Sequence, residues 1–114
     1  MSTVSTHVLN TATGRPGAAI KLVFEAIGPD GIRTEINRAI TNADGRVAKV
    51  GPGNGAIKAG TYRLTFMTGE YFTAAGSRCF YPKVEIEFEI GAADEHFHVP
   101  LLISPFGFST YRGS

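Results

Sequence analysis

Three histidines, and an arginine that follows a glycine, are the side chains through which this chain of 114 residues could act on a substrate near neutral pH. His96 and His98 stand two apart, so a strand would carry both imidazoles on one face, with Phe97, Val99, Leu101 and Ile103 on the other. A neutral imidazole takes a proton from water as the water attacks a carbonyl carbon. The oxyanion that develops needs a cation, and an arginine fork is permanently charged and planar. His98 could fill the first role and Arg46, just past Asp44-Gly45, the second, though nothing in the composition pairs them. Two other readings compete. Each histidine is also an ordinary surface or interface residue. Alternatively, His96 and His98 with His7 form three ligands of a catalytic zinc. The spacing allows that, but neither Cys79 nor any Asp or Glu obviously joins the set.

The groups around His98 depend on a hairpin. Ser104-Pro105-Phe106-Gly107 has the residue types of a turn, with 106–112 as the returning strand. If Ser104 pairs with Gly107, then Pro100 faces Tyr111, and His98 lies beside Gly113, diagonal to Tyr111 and next to the carboxylate of Ser114.

The remaining elements must hold these pieces in place. Val4, Thr6 and Val8 alternate with Ser5, His7 and Leu9 in a first strand that turns His7 away from the valines. Residues 11–17 form a loop, 20–26 a second strand, 28–31 a turn, and a third strand runs through about Arg38. Residues 42–46 are a turn and 51–60 a glycine-rich loop. A strand over 61–67 puts Tyr62, Leu64 and Phe66 on one face. Residues 69–76 are the one candidate helix, with Gly76 as its C-cap. In 83–90, Val84, Ile86, Phe88 and Ile90 alternate with Lys83, Glu85, Glu87 and Glu89, and 91–95 turns into the closing hairpin. Seven or eight short strands with one small helix predict an all-β, two-sheet antiparallel sandwich in a single domain over 1–114, with a small barrel as the structural alternative.

Composition narrows the function classes. A net charge of +1 indicates no nucleic-acid footprint. No apolar run reaches the ~18 residues of a membrane span, and the first residues lack the regions of a signal peptide. A single cysteine, Cys79, fits a reducing compartment, so a cytoplasmic protein is expected. No phosphate-cradling loop and no nucleophile elbow occurs.

The ending Tyr111-Arg112-Gly113-Ser114 and the stretch Ser5-Thr6-His7-Val8-Leu9-Asn10 resemble the two signatures of the transthyretin-like 5-hydroxyisourate hydrolases. The resemblance runs nearly end to end. It implies the transthyretin sandwich, a homotetramer built as a dimer of dimers with active sites in a channel, and a small-molecule substrate, 5-hydroxyisourate. It implies hydrolysis of that compound to 2-oxo-4-hydroxy-4-carboxy-5-ureidoimidazoline in urate degradation, with no metal and no cofactor. Carried over residue by residue, it assigns catalysis to His7, Arg46, His98 and Ser114, and substrate binding to His7, Arg46, Tyr111, Arg112 and Gly113. The hormone carrier transthyretin has lysine, glutamate, threonine and threonine where this chain has His7, Arg46, His98 and Tyr111. A non-catalytic small-ligand carrier is therefore the second reading, disfavoured at those four positions.

Overall fold

In a computed structural model of the chain, which describes residues 2–52 and 56–114, the alternating run near the end is strand β8, His96–Ser104. Phe97, Val99, Leu101 and Ile103 are buried, while His98 and Leu102 are half-buried on the opposite face. Burying one such apolar side chain contributes about 1.5–3 kcal/mol. A slip of one residue would expose all four and send His98 into the core, so the alternation holds the register. β1, Thr3–Asn10, behaves alike: Val4, Thr6, Val8 and Asn10 are buried, and Thr3, Ser5, His7 and Leu9 face outward.

Nine strands form among the described residues, more than the seven or eight expected, because two are dipeptides laid against β1. These are β2, Arg15–Pro16, and β5, Arg46–Val47. One sheet runs β2-β1-β8-β9, with β9 at Gly107–Thr110 and β5 also paired to β1. The other runs β4-β3-β6-β7, from Arg33–Ile40, Lys21–Ile27, Gly60–Phe66 and Val84–Ile90. Between them lie Val4, Val8, Leu101 and Ile103 from the first sheet and Leu22, Phe24, Leu64 and Phe66 from the second. The Phe24 and Tyr62 rings stack at 5.2 Å.

The expected sandwich is present, but it is not wholly antiparallel: β1 and β8 run parallel, Ser5 opposite His98 and His7 opposite Pro100. Parallel neighbours need a long crossover, and here almost the entire chain lies between the two strands. β7 is an edge strand, so Ile86 and Phe88 are only half-buried although Val84 and Ile90 are enclosed.

The helix, α1, spans Thr68–Ala74 and buries Phe72. Ala75 is its C-cap and Gly76 the next residue, whose N–H and that of Ser77 close on Thr73 and Phe72. Among the described residues no helix is long and apolar enough to cross a membrane. Of the loop expected over 51–60, residues 53–55 lie outside the described residues, and Ile57 bridges to Ser2.

The returning strand is shorter than expected. β9 pairs Ser104 with Gly107 through Leu101 with Thr110, then stops. Pro100 has no N–H for Tyr111, and its carbonyl is taken at 2.7 Å by the Thr110 hydroxyl. The same register resumes after two skipped pairs, where Gly113 N–H donates to the His98 carbonyl at 2.8 Å.

Candidate active site

Three strands carry the outward face of the first sheet. In one row, Arg46 on β5 stands opposite His7 on β1, which stands opposite Pro100 on β8. In the next row Ser5 stands opposite His98, which stands opposite Gly113. Arg46 is delivered by its turn. The Asn42 side-chain oxygen accepts the N–H groups of Asp44 and Arg46, each at 2.9 Å. Gly45 has φ +75°, and its carbonyl accepts the Val8 N–H at 2.7 Å, so the turn docks on β1. A side chain at 45 would strike the Val8 carbonyl.

Arg46, His98, Ser5, Asn42, His96 and Ser114 line one surface depression. The Arg46 guanidinium makes no ion pair among the described residues and is available to a ligand. His98 Nδ1 shares a hydrogen bond of 2.8 Å with the Ser5 hydroxyl, leaving Nε2 without a partner among the described residues. Burial above all, then electrostatic repulsion from Arg46 and from the His7 and His96 rings, holds the His98 imidazole below its ordinary pKa. It is therefore neutral at pH 7, the state a general base requires.

Gly113 fixes the ring from the other side. A Cβ there would fall 2.5 Å from His98 Cδ2 and 3.1 Å from Pro100 Cγ, so the backbone of the tail packs directly against the imidazole. The hairpin register read from the turn thus holds at the residue that matters most.

Two of the expected site residues lie elsewhere in a single chain. Tyr111 is exposed and, with Arg112, borders a separate groove along Ile86, Phe88, Phe97 and Val99. The Arg112 guanidinium stacks 4.3 Å from the Phe97 ring centroid and pairs with Glu95 at 3.2 Å. The ladder gap at Pro100 frees Tyr111 from strand pairing, whereas Arg112, opposite Val99 by register, takes the Phe97 face. His7 is half-buried beside Arg46, one row from His98.

Ser5 and Asn42 are the residues that sequence reasoning missed. Ser5 shares a strand face with His7, which alternation shows; that it abuts His98 follows only from the parallel pairing. Among the described residues no group of three or more His, Cys, Asp or Glu side chains is placed to hold a metal ion. Cys79 is half-buried against the core, its thiol 2.9 Å from the Tyr81 carbonyl.

The chain resembles known proteins over nearly its whole length. The chain matches the HIUase/Transthyretin family over residues 4–113. It is 40% identical to the 5-hydroxyisourate hydrolase of Salmonella dublin over 111 residues, which is 97% of this chain and 80% of that protein. The structure of Klebsiella pneumoniae 5-hydroxyisourate hydrolase superposes with a TM-score of 0.87 at 38% identity, covering 100% of this chain and 94% of the other. Sea bream transthyretin in complex with thyroxine superposes with a TM-score of 0.86 at 27% identity, covering 96% and 93%.

Proposed function

The chain belongs to the HIUase/Transthyretin family, and from that premise we infer that it is a 5-hydroxyisourate hydrolase acting in urate degradation. The observation that carries this reading is that Arg46 and His98, far apart in sequence, line one depression while transthyretin's substitutes at those positions could do neither job. Water, deprotonated by His98 Nε2, attacks C6 of the substrate. Arg46 holds the oxygen as it becomes an oxyanion, and the N1–C6 bond breaks with the proton passing from His98 to the leaving nitrogen. His7, beside Arg46, orients the substrate or the water. The product is 2-oxo-4-hydroxy-4-carboxy-5-ureidoimidazoline.

The assembly we propose is a homotetramer, a dimer of dimers. Its support is a surface of unpartnered elements: β7 and β9 end their sheets, and Phe80, Phe106 and Tyr111 are 68%, 66% and 60% exposed. Tyr111 and Arg112 would then meet substrate or a neighbouring copy from the groove they border.

The test is turnover of freshly generated 5-hydroxyisourate by protein dialysed exhaustively against a chelator, with the uncatalysed rate subtracted. Full activity is expected. Thyroxine binding with no turnover would move the chain to the carrier side of the family, and a loss of rate that zinc restores would give the histidines to a metal.

A further inference from the structure

His96 plays no part in the hydrolysis just described, yet it is tied to His98 by an unbroken line of bifunctional groups. The Thr3 hydroxyl lies 2.6 Å from His96 Nδ1, His96 Nε2 lies 2.9 Å from the Ser5 hydroxyl, and that hydroxyl lies 2.8 Å from His98 Nδ1. All four residues share the outward face because β1 and β8 pair in parallel with Thr3 opposite His96 and Ser5 opposite His98. His96 and Thr3 sit at the solvent end, and His98 at the half-buried end.

An imidazole and a hydroxyl each donate one proton and accept another. With Nε2 of His98 free to act as base, Nδ1–H must donate to Ser5, Ser5 to His96 Nε2, and His96 Nδ1–H to Thr3. The chain therefore has a single polarity when the base is ready, and the opposite polarity when every proton has moved one place. We propose that Ser5 and His96 form a proton relay that sets the tautomer of His98 and carries protons between the site and solvent.

The reaction needs such an exit, and here the inference rests on the hydrolytic reading. Opening an amide whose leaving nitrogen is a urea nitrogen, too weak a base to keep an extra proton, yields a carboxylic acid. That acid ionises well below neutral pH, so each turnover releases one proton. When His98 Nε2 takes it, the Nδ1 proton passes to Ser5 Oγ, the Ser5 proton to His96 Nε2, and the His96 Nδ1 proton through Thr3 to water. One proton enters, one leaves, and both imidazoles end neutral in the opposite tautomer; water-assisted return restores the first. The charged and titratable neighbours of the line are Arg46 on β5, His7 on β1, the terminal carboxylate of Ser114 in the same depression, and the ion pair of Arg112 with Glu95, whose guanidinium also lies 3.5 Å from the His96 carbonyl. The permanent charge of Arg46 opposes a positive charge on His98, which favours passing the proton on.

Ser5→Ala, Ser5→Thr and His96→Phe in the full chain test this. Ser5→Ala should lower kcat about tenfold, less than the ~10²–10⁴-fold that general acid–base catalysis supplies because His98 itself remains, with KM within twofold. Ser5→Thr should restore the rate, and added imidazole buffer should accelerate Ser5→Ala and His96→Phe but not the parent protein. Independently of substrate, 15N spectra should show His98 protonated on Nδ1 at rest and a mixture of tautomers in Ser5→Ala. The spectra stand even if the protein turns over a different compound, which separates failure of the relay from failure of the hydrolase reading. An unchanged kcat and unchanged His98 tautomer in Ser5→Ala would overturn the relay. So would a loss that neither threonine nor imidazole repairs, since that marks Ser5 as packing alone.

Discussion

Arg46→Lys should lower kcat for 5-hydroxyisourate by on the order of a hundredfold or more, the usual cost of one lost oxyanion donor. The substitution keeps the positive charge and discards the planar fork, so its effect isolates geometry from charge. Arg46 has no ion partner among the described residues to hold it elsewhere, and its N–H is anchored by Asn42, so the backbone should stay in place. A second consequence follows from the electrostatics. Arg46 is one of the charges that depress the His98 pKa, after burial. Because lysine preserves that charge, the pH at which activity falls should barely move while the rate collapses. A near-parental rate would make Arg46 an exposed residue after a turn and nothing more.

Gly113→Ala should be comparably damaging, although it adds one methyl group to an exposed tail. The new carbon would lie 2.5 Å from His98 Cδ2, far inside the ~3.5–4.0 Å of a carbon contact, so the imidazole or the tail must give way. Displacing a reacting group by about 1 Å can cost on the order of a hundredfold in rate. Removing residues 112–114 should act in the same direction, because it strips the backbone that lies on the ring. None of the three contributes a buried core side chain, so both variants should retain the parental melting transition. A folded Gly113→Ala protein with full activity would show that the tail does not position His98.

Much of this is legible in the sequence. The Ser104-Gly107 turn gives the register that brings His98 to Gly113, since a hairpin's pairing is set by its turn. Strict alternation puts the histidines on the outward face. Pairing across long sequence distances was not legible. Alternation says which face a residue takes and nothing about which strand lies beside it, so the parallel alignment of β1 with β8, and with it the Ser5 contact, had no local signal. Tyr111 and Arg112 lie away from the site for different reasons: the missing N–H at Pro100 frees Tyr111 from pairing, while the register itself puts Arg112 opposite Val99, on the face where it stacks on Phe97 and pairs with Glu95. The hydrolytic assignment itself came from the two signatures; spacing alone left zinc ligands and ordinary surface histidines standing.

The most direct measurement of His98 as a neutral general base is kcat/KM for 5-hydroxyisourate as a function of pH, which reports the free enzyme's essential groups. Burial and the nearby cations lower the His98 pKa, so the base form persists to lower pH than an ordinary imidazole allows. The expected result is an acidic limb lying below the ordinary histidine value of about 6.5 in the parent protein and absent from the residual activity of His98→Asn. A limb at or above that value, or one that survives unchanged in His98→Asn, would contradict His98 as the base.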